Sequence, residues 1–199
     1  MLTVKVDTDI NRLAKELGDD ARQLPFAFAM ALTNTAEDVR LDEVRRLPQK
    51  FTIRNKYVAR GIRKTPATKA NLVAYVGSVT PFMGLQESGG TKTPTQGGMI
   101  AVPITGGGIR TSFAKRVTPG LWVSKQIEKP RTFTKRTKSG NTVVMRRVGK
   151  ESRPIKPLYV YKPSGPIKAR WDFGQHAPRE VNQRVARHLT LAFKRIFGN

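Results

Sequence analysis

Cysteine is absent from the 199 residues, which excludes disulfides, thiolate metal sites and cysteine nucleophiles. Long apolar runs are missing too. No stretch approaches the roughly 18 apolar residues that span a bilayer, and the start, MLTVKVDTDINR, lacks a basic segment followed by an apolar one. The expectation is a soluble protein with no membrane partner and no cleaved signal. Histidine is scarce: His176 and His188 are the only two. They read as parts of different elements, so no metal site is expected.

Acidic residues are few and unevenly placed. Of 14, nine (Asp7, Asp9, Glu16, Asp19, Asp20, Glu37, Asp38, Asp42, Glu43) lie within the first fifty positions, leaving five for the remaining chain. A general acid/base pair is hard to assemble from five scattered carboxyls. Glu87, beside Phe82, Met83 and Leu85, stands out, and the simplest role for it is at a helix end or a subunit contact. A metal-dependent nuclease would have to use Glu87 or Asp172. The segment GLQESGGTKT departs from a phosphate-binding loop, because Gly84 and Gly89 are followed by Gly90, Thr91 and Lys92 rather than Gly-Lys-Ser/Thr. The expectation is a non-enzyme without cofactors.

What the chain does have is positive charge. Residues 51–199 hold 29 Lys and Arg against 5 Asp and Glu, a net +24, whereas residues 1–50 carry −1. A field of one sign at this density attracts polyanions, which makes nucleic acid the first partner to consider. The densest part is residues 129–156, with Lys129, Arg131, Lys135, Arg136, Lys138, Arg146, Arg147, Lys150, Arg153 and Lys156 against Glu151 alone. On a hairpin, period-two alternation puts some of these on one face, where a phosphate backbone can lie. The competing readings are a solvated arm and a grip on an acidic protein neighbour. No helix-turn-helix, zinc-finger or RNA-recognition motif is present, so any DNA contact is sequence-neutral. Trp122, Trp171, Phe173 and Tyr159 are candidates for base stacking, but strand-like surroundings favour core packing for all four.

The pattern predicts α+β architecture, with a long N-terminal helix and a C-terminal amphipathic helix packed on an antiparallel β middle, plus extended basic loops or a hairpin arm. Leu2, Val4 and Val6 alternate as in a strand. Thr8 or Asp9 can cap a helix bearing Ile10, Leu13, Ala14 and Leu17, ended by Gly18. From Pro25, Phe28, Leu32, Ala36 and Val39 recur at helical period until Pro48, and Glu37, Asp38, Asp42 and Glu43 form a stripe facing solvent or another subunit. Strands are expected over residues 72–79, 99–104, 131–136, 142–148 and 158–161, the second near an edge because of Pro103. Pro178 is read as opening the last helix, with Val181, Val185, Leu189, Ala192, Phe193 and Ile196 on one side and Arg179, Arg184, Arg187, Lys194 and Arg195 on the other. The whole is read as one domain over residues 1–199, with 104–156 as a glycine-rich and basic excursion.

In order, ALTNTAEDVR leading into LPQKFTIRNKYVARGI, then YVGS, FMGLQESGG, IAVP, RPIKPLYVYKPSGPIKARWDF and the terminal amphipathic helix resemble the minor tail protein Z family of lambda-like tailed bacteriophages. The resemblance covers most of the chain. It implies a tail-completion or neck protein whose α+β subunits form a ring of six at the head-proximal end of the tail. Implied partners are other copies of the chain, the tail terminator or tail tube protein, the head connector proteins, and genomic DNA in the channel. The implied location is the virion, and the host cytoplasm during assembly. No catalytic residue is implied. Combined with the charge pattern, the resemblance suggests that Glu37, Asp38, Asp42, Glu43 and Glu87 make subunit contacts while the basic stretch meets DNA or the neighbouring subunit. The alternative from another class is a free, sequence-nonspecific nucleic-acid-binding protein.

Overall fold

The computed structural model describes residues 2–5, 18–94, 98–109 and 116–198. The helix expected over residues 8–17 lies outside them. The chain divides into two compact units, one of Met1–Phe51, Asn55–Glu87 and Ala169–Asn199, the other of Thr52–Arg54 and Ser88–Lys168. The α+β class is as expected: a long N-terminal helix, antiparallel sheets and a C-terminal helix packed against the first.

In the first unit, helix α1 (Leu24–Lys50) starts with Pro25 in its opening turn, where a missing N–H costs nothing. Leu24, Phe28, Leu32, Ala36, Val39, Glu43 and Leu47 are buried at spacings of three and four, the inward stripe of a helix that packs on both a sheet and another helix. Thr35 reaches the core by donating its hydroxyl to the Ala31 carbonyl at 2.8 Å. Pro48 does not stop α1 as expected. It sits inside the last turn, and the ladder continues to Phe51, whose N–H meets the Leu47 carbonyl at 2.9 Å.

The sheet beside α1 has the order β1-β3-β2, all antiparallel, from β1 (Leu2–Lys5), β2 (Ile62–Thr65) and β3 (Val73–Ser78). The one-turn helix α2 (Tyr57–Gly61) leads directly into β2. A Cβ on Gly61 would lie 2.1 Å from Thr80 Oγ1, so only glycine fits where the chain after β3 crosses it. Ala74 and Val76 on β3, Ile62 on β2 and Met83 are buried, and both strands pack against α1. Helix α3 (Met83–Ser88) follows.

The last helix of this unit, α5 (Phe173–Phe197), begins five residues before Pro178. Its first N–H groups have an acceptor outside the helix, described below, which the sequence pattern did not reveal. Ala27 and Ala31 on α1 meet Ala192 on α5, flanked by Met30, Leu189, Phe193, Ile196 and Phe197. Three small side chains let the helices approach closely, and Phe28 packs edge-on to Phe193 with ring centroids 5.6 Å apart.

The second unit is built on a four-stranded antiparallel sheet, order β5-β8-β7-β6, from β5 (Ile100–Pro103), β6 (Thr132–Arg136), β7 (Thr142–Arg147) and β8 (Ile155–Lys162). Pro103 is on an edge strand, as expected. A separate pair joins β4 (Gly90–Lys92) to β9 (Gly165–Ile167). Ile109, Val144, Leu158 and Tyr159 form the core, with Val117, Leu121 and Val123 laid over it by the short helix α4 (Val123–Ile127) and the segment before it. Gly107 fits here because a Cβ would lie 1.9 Å from the Pro157 carbonyl oxygen. Residues 104–156, expected as an excursion, supply two of the strands and much of this core.

Candidate nucleic-acid interface

The second unit contains eighteen Lys and Arg and two acids, Glu128 and Glu151, a net +16. The polarity seen along the sequence is thus concentrated in one compact body. Nine of the ten basic residues between 129 and 156 are exposed, and Arg146 alone is half-buried. Among the described residues, none of the ten makes an ion pair with a carboxylate. Lys125 takes Glu128 at 3.0 Å.

Strand register sorts these cations onto different faces. Thr132 pairs with Arg146, Lys135 with Val143 and Arg136 with Thr142 across β6 and β7, and Arg146 pairs with Lys156 across β7 and β8. Arg136, Arg146 and Lys156 therefore share one face, and Lys135 and Arg147 the other. Arg147 lies over the Phe133 ring at 5.4 Å on that second face. At the end away from the hairpin turn, the Arg147 N–H bonds the Arg131 carbonyl at 3.1 Å and the Arg131 guanidinium bonds the Gly149 carbonyl. Arg131, Arg147 and the 149–150 corner thus come together, while Arg136 and Lys138 sit by the turn at residues 137–141.

Arg146 is anchored from below. Gln126 is fully buried, donates Nε2–H to the Gly120 carbonyl at 2.8 Å and accepts from Arg146 Nη1 at 3.3 Å. Tyr159, buried against the same segment, donates its hydroxyl to the Leu121 carbonyl at 2.5 Å, and burial pushes its pKa up. Of the four aromatic residues expected in the core, Trp171, Phe173 and Tyr159 are buried, but Trp122 is 52% exposed. It borders an open apolar depression with Ala101, Pro103, Val117, Val123 and Tyr159.

The acidic stripe of α1 has a different fate from the one expected. It faces the chain's own α5 and β2, because α5 carries cations and ring N–H groups at matching positions. Glu37 accepts from Arg40 at 2.9 and 2.6 Å and pairs with Lys64 at 3.2 Å. The Arg40 hydrogen bonds outweigh burial and, with Lys64, hold its pKa down at about 2. Asp38 meets His188 Nε2 at 2.8 Å and Arg184 at 3.8 Å. Asp42 lies 3.6 Å from Arg184 and 3.6 Å from His176. Glu43 is 1% exposed, accepting from Trp171 Nε1 at 2.5 Å and pairing with Arg46 at 3.2 Å. Arg184, expected on the outer face of α5, is turned in to these acids.

Glu87 is at a helix end, that of α5. Its carboxylate accepts the N–H groups of Phe173 at 3.0 Å and Gly174 at 2.8 Å. The residue at the cap position, Asp172, makes no cap bond. It is held instead by Arg46 at 3.0 Å and Lys50 at 3.1 Å. Burial works to raise the Asp172 pKa, but the bonds from Lys50 and its own backbone and the charge of Arg46 bring it below the ordinary value.

Both histidines lie on α5, against the expectation of different elements. Asp42, His176 and Glu180 converge with donor atoms all within 4.8 Å of one another. The spacing His176, Glu180, Arg184 on one helical face is the available signal, and reading Pro178 as the helix start hides it.

Comparisons with protein-family models, curated proteins and solved structures give no match to this chain. Among the described residues, no helix is long and apolar enough to cross a membrane.

Proposed function

We propose that the chain is a structural tail-completion, or neck, protein of a tailed bacteriophage, forming a ring at the head-proximal end of the tail around the DNA channel. Enzymatic activity has no part in this reading. The observation that carries it is the set of ten basic residues between 129 and 156 in the second unit, nine of them exposed and, among the described residues, none in an ion pair with a carboxylate, which suits an external polyanion. The ordered segments resembling the tail protein Z family supply the setting. Six copies carry a formal +138, enough to hold a DNA end by counterion release without reading its sequence.

The internal pairing of Glu37, Asp38, Asp42 and Glu43 changes the expected ring contact. These acids are occupied within their own chain, so the proposed ring is closed through other surfaces, and the basic stretch is assigned to DNA rather than to the acidic helix next door. The test is complementation: tails assembled without this chain should fail to join filled heads, and the purified chain should restore joining. Replacing Lys135, Arg147 and Lys150 by Glu should abolish restoration while leaving the chain folded. High-affinity, salt-resistant DNA binding by a monomer that completes no tails would instead identify a free nucleic-acid-binding protein.

A further inference from the structure

We propose that Asp42, His176 and Glu180 bind one divalent transition-metal ion of the zinc class, bridging α1 and α5. His176 Nε2 lies 3.6 Å from Asp42 Oδ2 and 3.5 Å from Glu180 Oε1. Both separations are too long for hydrogen bonds, which fall at about 2.7–3.2 Å. They match the edges of a tetrahedron, about 3.3–3.6 Å, around an ion with bonds of about 2.0–2.2 Å. His176 and Glu180 are one helical turn apart on α5, and Asp42 projects from the facing helix. All three are half-buried, which leaves a path for the ion and for a solvent ligand.

The surroundings suit a metal ligand set. The other imidazole nitrogen, Nδ1, is 3.7 Å from Glu43 Oε2, beyond hydrogen-bond length but close enough for a short side-chain shift to make this buried carboxylate the histidine's outer partner. Glu43 is itself fixed by Trp171 and Arg46. Arg184 does not occupy the same space: it approaches Asp42 Oδ1 at 3.6 Å and Glu180 Oε2 at 2.5 Å. The oxygens turned toward His176 are the opposite ones, Oδ2 and Oε1. Counting Asp38, four carboxylates face Arg184 and Arg46, leaving net negative charge for a dication. One imidazole with two carboxylates favours zinc, cobalt, nickel, iron(II) or manganese over magnesium and calcium.

The experiment is titration of the full, chelator-treated chain with Co2+ and then Zn2+, followed by visible absorption and thermal unfolding. One equivalent of Co2+ should give the intense visible bands of a four-coordinate site, Zn2+ should displace it, and Zn2+ should raise the unfolding midpoint. His176→Gln and Glu180→Gln should each weaken binding by about 100-fold or more, whereas His188→Gln, outside the ligand set, should bind as the parent does. Glu180→Gln keeps a hydrogen-bonding side chain at the helix surface, so it tests the site even if His176→Gln does not fold. Absence of cobalt bands and of a zinc shift in the parent overturns the proposal. So does binding that survives both ligand substitutions, or that His188→Gln weakens equally.

Discussion

Trp171 donates its indole N–H to Glu43 at 2.5 Å, joining two residues 128 positions apart in the sequence, both nearly inaccessible to solvent. This bond, with Arg46, is what allows a carboxylate on the inward stripe of α1. Replacing Trp171 by Phe keeps an aromatic ring against Phe173 but removes the donor, so the loss should be about 1–3 kcal/mol. Urea denaturation of the variant would measure it; an unchanged midpoint would show that Arg46 alone satisfies Glu43.

Glu87 caps α5 in place of Asp172. Glu87→Ala leaves the N–H groups of Phe173 and Gly174 without their carboxylate and removes a negative charge from the helix N-terminus. The expected cost is about 1–2 kcal/mol. Glu87→Gln, which retains one acceptor oxygen, should lose less. Hydrogen exchange at the first turn of α5 is the direct readout and should rise most in the alanine variant.

Acid should weaken the first unit through Glu37. Its folded pKa of about 2 lies below the ordinary 4.5, so the stabilisation is complete above pH 4.5 and is lost as pH falls toward 2. Asp172 acts in the same direction. Glu37 is 30% exposed, so added salt should shrink the effect. Stability of Glu37→Gln should therefore fall less than that of the parent between pH 4.5 and pH 2, in denaturation midpoints taken at both values.

DNA affinity should fall steeply with salt and ignore sequence. Each phosphate-contacting cation removed from the set Lys135, Arg147, Lys150 and Arg153 should reduce the slope of log K against log salt by about 0.9 on duplex DNA. Fluorescence anisotropy over a salt series with two unrelated duplexes measures both properties. A slope unchanged in the quadruple Gln variant would remove this surface from the DNA contact.

Local patterns carried much of the fold. The spacing of Phe28, Leu32, Ala36 and Val39 announced α1, the turn residues between Arg136 and Thr142 announced the hairpin, and Pro103 marked an edge strand. The misplaced elements were those whose boundaries depend on distant partners. Pro178 is tolerated within α5 because Glu87 and the contacts with α1 support the first turns, and no local sequence signal contains Glu87. Short strands such as Ile62–Thr65 and Gly90–Lys92 are too brief to show a period and exist through their pairing.

Charge shows the same division. The sequence by itself determined that positive charge is in excess, that acids crowd the first fifty positions, and that cysteine chemistry is excluded, because these follow from composition and order alone. Only the tertiary structure decided where charge is spent. Packing α5 against α1 brings Arg184, His176 and His188 onto Asp38, Asp42 and Glu43, so those acids find partners within their own chain. Among the described residues, the sheet of the second unit brings no acids to the cations of 129–156, and side chains at positions 135, 147, 150 and 153 remain in solvent. Whether a charge is free depends on distances across helix and strand contacts, which linear spacing does not encode.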